Sequence, residues 1–164
     1  MRTLHELGLS DSTVALRCDF NVPLNEEGEI TDDLRIVAAL PTINALRKAG
    51  SRVVILAHLG RPEGARVAEL TLAPVARRLS QLLGIPVAFS ASPNTDREVI
   101  DTLTAGDVAL LENVRFDPRE TSKDPRARQE LARNWASWAD SYVSDGFGTS
   151  FNMSSSSLDR KSVV

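Results

Sequence analysis

Residues 52–62 of the chain read RVVILAHLGRP. A run of β-branched and apolar residues leads directly into a histidine, a glycine, an arginine and a proline. An apolar run that does not alternate with polar residues is typical of a strand covered on both faces, as in a parallel sheet with helices on either side. Ligands of such sheets bind at the carboxyl ends of the strands. Polar residues that directly follow a strand are therefore the first candidates for a binding site.

Similar short apolar segments occur on both sides of this strand, and they alternate with segments of helical spacing. The further strands are predicted at 14–18, 86–90, 107–111 and 142–144, and the helices at about 31–49, 71–83, 93–104 and 124–138. Pro41 lies inside the first helix pattern and is expected to kink the helix or divide it. This alternation predicts an α/β protein, a three-layer Rossmann-like parallel sheet with helices on both faces.

Charged and polar side chains follow several of these strands, and a parallel arrangement brings all of them to one rim of the sheet. The rim residues are Asp19, Asn21, His58, Arg61, Arg115 and Asp145, and Arg35 begins a helix at the same rim. Each of them alone is more often a surface or structural residue than a ligand-binding one. Their joint occurrence at equivalent strand ends favours a site for a small, multiply charged anion such as a phosphorylated acid.

Composition excludes several classes of function. The 164 residues suit one domain, and the net charge of −3 provides no general basic field for nucleic acid or an anionic membrane. No apolar stretch approaches the ~20 residues that span a bilayer, and the start of the chain lacks a signal peptide pattern. The single cysteine and two histidines do not have the spacing of metal ligands. We therefore expect a cytoplasmic protein with no metal site, no membrane segment and no nucleic-acid partner.

Nucleotide-binding patterns are also missing. The sequence contains neither a Gly-x-x-x-x-Gly-Lys-Ser/Thr loop nor a Gly-x-Gly-x-x-Gly run. The residues therefore predict an anion site, with no nucleotide site marked.

Five segments in consistent order resemble the signatures of phosphoglycerate kinase. They are DFNVP at 19–23, TDDLRI at 31–36, HLGRP at 58–62, LLENVRF at 110–116 and VSDGFG at 143–148. The resemblance covers residues 3–149 approximately, and segments of this length are far more specific than a glycine pattern. It implies that residues 1–149 are the N-terminal, substrate-binding domain of a two-domain glycolytic kinase. Such enzymes pass a phosphoryl group reversibly between 1,3-bisphosphoglycerate and Mg-ADP, giving 3-phosphoglycerate and Mg-ATP.

The resemblance also assigns roles at matching positions. It implies that Asp19 and Asn21 orient the glycerate part of the substrate, and that Arg35 stabilises charge on the phosphoryl group in transfer. The segment from His58 through Leu59 and Gly60 to Arg61, together with Arg115, would hold the phosphate that is not transferred. Mg-ATP or Mg-ADP would be bound by a C-terminal domain that this chain lacks. We therefore expect a monomer whose partners are its substrate and that missing domain, and which is inactive alone.

The chain departs from the family pattern near its end. Where relatives have a His-Arg pair whose arginine also holds the phosphate, this chain has Phe151-Asn152. Loss of one charged hydrogen bond would weaken binding by about 1.5–3 kcal/mol. Residues 150–164 form a serine-rich tail, predicted to be non-native or disordered.

Two origins of this tail are open. Residues 159–164, DRKSVV, are what the DNA GATCGGAAGAGCGTCGTG encodes, which is similar to a sequencing-library adapter followed by a stop codon. The alternative is a genuine divergent tail. Two other functions are also open: a stand-alone domain that binds 3-phosphoglycerate or a partner without catalysis, and an unrelated α/β enzyme with a phosphate-rich substrate.

Overall fold

A computed structural model describes residues 8–145 of the chain, and these residues alternate between strands and helices as predicted. The elements are β1 (Thr13–Cys18), α1 (Leu34–Lys48), β2 (Arg52–Leu56), α2 (Ala73–Leu83), β3 (Val87–Ser90), α3 (Arg97–Ile100), β4 (Val108–Leu111), α4 (Pro125–Trp138) and β5 (Ser141–Asp145). Two short 3₁₀ turns, Ala68–Leu70 and Val114–Phe116, lie in the connections after β2 and β4. Residues 146–148 of the VSDGFG segment, the pair at 151–152 and the tail at 150–164 lie outside the described residues.

The five strands described between residues 8 and 145 form one parallel sheet in the order β3-β4-β2-β1-β5. β2, the strand with which the sequence analysis began, lies in the middle of it. Arg17 of β1 is opposite Leu56 of β2, and Cys18 is opposite Asp145 of β5. The strands therefore end at nearly the same level, and the residues that follow them share one rim.

Side chains that alternate along the strands enter two separate cores. Val53 and Ile55 of β2 pack in a core with α1 and α2, whereas Val54 and Leu56 pack with α3, α4 and both tryptophans. A helix layer on each face explains why the strands contain apolar residues without alternation. The prediction of a three-layer α/β sheet with helices on both faces is confirmed.

Helix α1 remains one element from Leu34 to Lys48, although Pro41 lies inside it. The helix is therefore not divided at Pro41, and the alternative expectation, a kink, stays a prediction. Proline removes the N–H that would donate to the carbonyl four residues earlier, which here belongs to Val37. Both Pro41 and Val37 are exposed, so water can hydrate that carbonyl. The buried stripe of Ile36, Ile43 and Leu46 stabilises the rest of the helix.

Helices α2 and α4 follow their predicted ends closely, whereas α3 covers only Arg97–Ile100 of the predicted 93–104. The Asp124 side chain accepts a hydrogen bond from the Arg126 N–H, and Pro125 is the first residue of α4. Helix α2 begins at Ala73, and Gly84 ends it in the left-handed conformation at φ +68°.

Among residues 8–145, no helix has the length and apolar character needed to cross a membrane. The same residues contain no group of three or more side chains that could hold a metal ion.

Candidate functional site

The segment after β1 contributes a carboxylate and an amide to the rim. The Asp19 Oδ1 atom accepts a hydrogen bond from the Asn21 N–H at 3.2 Å, and this turn holds both side chains in place. The Arg35 Nη1 atom, in the first turn of α1, donates to Asp19 Oδ2 at 2.7 Å. The Arg35 side chain is 53% exposed. Asp19 therefore orients a guanidinium that keeps donors open to solvent.

Gly60 is the point at which three chain segments meet. Its N–H donates to Asn21 Oδ1 at 2.9 Å, and its carbonyl accepts a hydrogen bond from Arg115 Nη1 at 3.0 Å. The backbone at Gly60 has φ +63°, and a Cβ atom placed there would lie 2.8 Å from Leu70 Cδ2. A side chain at this position would be strained by the positive φ, and its Cβ would push the end of the Leu70 side chain aside. The structure thus brings Asn21, Gly60 and Arg115 together, as expected for a site at these strand ends.

We expect the Gly60→Ala variant to lose about 1–3 kcal/mol of unfolding free energy, because alanine meets both an unfavourable φ and a close contact. Binding of the phosphorylated acid expected from the sequence should also weaken, since the displaced backbone would shift Arg115. Urea unfolding and isothermal titration calorimetry measure the two effects.

Gly84→Ala is the matched control, because Gly84 has a similar φ of +68° but no atom within 4 Å of the added Cβ. It should cost about 1 kcal/mol and leave binding unchanged. Equal losses of stability in the two variants would show that the contact with Leu70 does not matter.

Two further arginines, Arg61 and Arg115, add positive charge to the rim. Arg61 is exposed and makes no hydrogen bond or ion pair within residues 8–145. Burial lowers the pKa of the Arg115 guanidinium, and the charges of Arg17 and Arg61 lower it further, so Arg61 lies within electrostatic reach of Arg115. The Nε atom of Arg115 is buried and has no partner among the described residues. Two cations that repel each other and keep unused donors are suited to an anionic ligand.

His58 lies beneath the rim rather than on it, with a residue exposure of 6%. Its Nδ1 atom is 3.1 Å from Arg17 Nη2. Burial lowers the pKa of His58 to about 3, and the neighbouring positive charges of Arg17 and Arg115 act in the same direction. The imidazole is therefore neutral near neutral pH.

The remaining predicted residues occupy different surroundings. Leu59 packs in the α1–α2 core at 3% exposure, so its side chain does not line the rim. Its carbonyl accepts a hydrogen bond from Asn113 Nδ2 at 2.7 Å. Asp145 ends β5, and burial raises its pKa while a hydrogen bond with Thr42 opposes that change.

Sequence reasoning missed four buried polar residues that support the rim. Arg17, Glu112, Asn113 and Glu120 are each 1% exposed or less. Arg17 carried a signal, since a charged residue inside an apolar strand requires a buried partner. Glu112 and Asn113 directly follow β4, so the strand-end argument already applied to them. Glu120 lies in a connection, and no local pattern marks it.

Fold and rim together define a class: a Rossmann-like α/β domain with a cationic rim at the carboxyl ends of its parallel strands. The family model of phosphoglycerate kinase matches residues 4–164. The phosphoglycerate kinase of Leifsonia xyli is 52% identical over 151 residues, and that of Bifidobacterium adolescentis is 50% identical over 162 residues. The chain therefore belongs to the phosphoglycerate kinase family.

Solved structures agree with this assignment. The phosphoglycerate kinase from Pyrococcus horikoshii superposes with a TM-score of 0.85 at 34% identity, covering 95% of this chain and 39% of that one. The enzyme from Coxiella burnetii gives a TM-score of 0.79 at 39% identity, covering 93% of this chain and 37% of that one.

The matched regions are only part of the relatives. The alignments cover 90% and 97% of this chain but 37% and 40% of the Leifsonia and Bifidobacterium proteins. The chain thus spans about two fifths of the length of the curated relatives it matches. The division at residue 149 and the individual roles of the rim residues stay predictions.

Proposed function

We propose that this chain is the phosphoglycerate-binding part of a phosphoglycerate kinase. The observation that carries the proposal is the rim itself, where Arg61, Arg115 and neutral His58 adjoin the pairs Asp19–Arg35 and Asn21–Gly60. A 3-phosphoglycerate molecule has a phosphate at one end and a carboxylate at the other, so it needs donors at two separated points. The rim supplies one group of donors for the phosphate and another for the carboxylate.

The phosphate that stays on the substrate is assigned to Arg61 and Arg115. Arg61 has its whole guanidinium available, and the half-buried Arg115 makes no hydrogen bond through Nη2 to the described residues, while its Nη1 is engaged by the Gly60 carbonyl. Guanidinium groups bind phosphate oxygens with two parallel N–H donors, which fixes orientation as well as position. The two cations repel each other in the empty site. Binding of the phosphate dianion relieves this repulsion, which favours binding.

The reacting carboxyl end is assigned to Asn21, Asp19 and Arg35. Phosphoryl transfer spreads negative charge over the oxygens of the moving group, and the protein contributes by positioning and by placing positive charge nearby. The half-exposed Arg35 guanidinium, oriented by Asp19 at 2.7 Å, can provide that charge. Asn21 accepts a hydrogen bond from the Gly60 N–H. This bond holds the turn beside which the glycerate chain would lie.

The nucleotide is assigned to the part of the family protein that this chain does not match. The sequence contains no glycine-rich phosphate loop of the two familiar types. Mg-ADP or Mg-ATP would therefore meet the rim from a second domain. We propose a cytoplasmic glycolytic enzyme whose turnover requires both parts.

Complementation tests this proposal. The full chain is mixed with the separately produced remainder of the Bifidobacterium adolescentis relative, which is 50% identical over the shared part. We expect phosphoglycerate-dependent ATP consumption that rises with the concentration of the added part and is absent from either part alone. A coupled assay for 1,3-bisphosphoglycerate measures it.

Omitting phosphoglycerate is the control for contaminating ATPase activity. If 3-phosphoglycerate binds with useful affinity but no concentration of the second part restores transfer, the catalytic proposal is wrong and a stand-alone binding domain is indicated. If other phosphorylated acids bind equally well, the substrate assignment is wrong.

A further inference from the structure

One buried group has no place in the assignments above. Arg17 is part of β1 and is only 1% exposed, on the sheet face that carries α3 and α4. Its Nη2 atom lies 3.1 Å from His58 Nδ1, and its Nη1 atom lies 3.4 Å from Oε1 of the fully buried Glu120. An arginine enclosed in this way cannot reach a ligand at the rim. Of the rim groups, His58 is the one with which it makes a direct hydrogen-bond contact.

The contact determines where the imidazole proton resides. A guanidinium has only N–H donors and keeps its proton in proteins, so the His58 Nδ1 atom must be the acceptor. A neutral imidazole that accepts at Nδ1 carries its single proton at Nε2. The alternative tautomer, and the doubly protonated ring, would each place an N–H against the guanidinium.

We propose that Arg17 is a positioning residue that holds His58 as the neutral Nε2–H tautomer, so that His58 presents a hydrogen-bond donor to the substrate phosphate. Glu120 positions Arg17 in turn and balances its buried charge. The identity of the acceptor rests on the proposed function above, whereas the tautomer follows from the contact itself. His58 is then a donor without charge among cations that already repel one another.

The surroundings of His58 agree with this assignment. The charged groups that act on the ring are Arg17 and Asp19 from β1 and the segment after it, Arg115 from the 3₁₀ turn after β4, and Arg35 from α1. Three of these four are cations, and the ring is buried, so protonation is opposed from several directions. A neutral donor needs no partner charge in this environment.

Nitrogen NMR of the uniformly ¹⁵N-labelled full chain tests the proposal. The sequence has only two histidines, His5 and His58, so the His58→Gln variant assigns both ring systems. Without any ligand, we expect His58 to show a protonated Nε2 and an unprotonated Nδ1 throughout about pH 5 to 8, the range in which an ordinary histidine titrates. A protonated Nδ1, or titration of His58 near pH 6.5, would overturn the proposal.

Three variants separate positioning from simple structural support. Arg17→Met removes the donor and keeps most of the aliphatic volume; it should give a mixture of tautomers, a higher His58 pKa and about 2- to 10-fold weaker phosphoglycerate binding. Arg17→Lys keeps a donor and should retain the Nε2–H signal. Arg47→Met removes a partly buried arginine that bonds to the Gly106 carbonyl and Asn44, and should leave the His58 signals unchanged.

The outcomes distinguish this inference from the proposed function. If Arg17→Met folds and His58 stays entirely in the Nε2–H form, Arg17 does not set the tautomer and the inference is wrong. If Arg17→Met does not fold, the inference is tested by the ring signals of the original chain and of Arg17→Lys. A protonated Nδ1 in either protein would then overturn it. If the tautomer changes as expected but the original chain does not bind 3-phosphoglycerate, the Arg17–His58 relation stands and the proposed function fails.

Discussion

The Arg115→Ala variant is expected to bind 3-phosphoglycerate about 10- to 150-fold more weakly than the original chain. A hydrogen bond to a charged group contributes about 1.5–3 kcal/mol, and each 1.4 kcal/mol is a factor of about ten in affinity. The substitution removes the proposed contacts to the phosphate and also the Nη1 bond to the Gly60 carbonyl at 3.0 Å. Calorimetric titration of the full chain measures the change.

Two further variants make the Arg115 result specific. Arg133→Ala removes the same charge from an exposed position on α4, and should leave affinity within about a factor of two at moderate salt. Arg115→Lys keeps the charge but not the forked donor, so intermediate affinity is expected. If Arg115→Ala remains folded and binds as tightly as the original chain, the phosphate is held elsewhere and the assignment of this rim fails.

The Glu112→Ala variant is expected to lose about 3–5 kcal/mol of unfolding free energy. The Glu112 side chain joins the end of β4 to the start of α2. Its Oε1 atom accepts from the N–H groups of Leu72 at 2.9 Å and Asn113 at 2.8 Å, and its Oε2 atom accepts from Thr71 Oγ1 at 2.7 Å. Alanine leaves two buried N–H groups without an acceptor, at about 1–3 kcal/mol each.

Urea unfolding followed by circular dichroism measures this loss. Glu112→Gln keeps one oxygen acceptor and should cost about 1–2 kcal/mol. Glu26→Ala, at an exposed glutamate, should change stability by no more than about 0.5 kcal/mol. A Glu112→Ala variant as stable as Glu26→Ala would mean that water replaces the carboxylate without cost, contrary to the 1% exposure of this residue.

Most of the fold was predictable because its determinants are local. An apolar run such as that of β2 requires cover on both faces, and Asp124-Pro125 marks a helix start through its own hydrogen bond to the Arg126 N–H. The limit of local information shows at Pro41, which does not divide α1. Sequence shows the missing donor, but only packing shows that the carbonyl left unpaired is exposed to water.

The members of the candidate site were predictable for a related reason. In a parallel sheet, residues that follow different strands meet at one rim, so Asn21, Gly60 and Arg115 could be grouped from sequence order and strand prediction alone. Their contacts could not be predicted. Asn21 and Gly60 are 39 residues apart, and Gly60 and Arg115 are 55 apart, so the distances of 2.9 and 3.0 Å depend on strand register and loop path.

Local patterns in the chain thus predict the α/β architecture, the sheet faces and most of the rim residues, since periodicity and strand ends depend on near neighbours. The buried support of the rim depends on tertiary packing. Arg17 reaches His58 across 41 residues and Glu120 across 103 residues. Burial makes each of these polar groups depend on a distant partner, because water is no longer available to satisfy it. That dependence, which no short segment records, sets the charge and tautomer of His58.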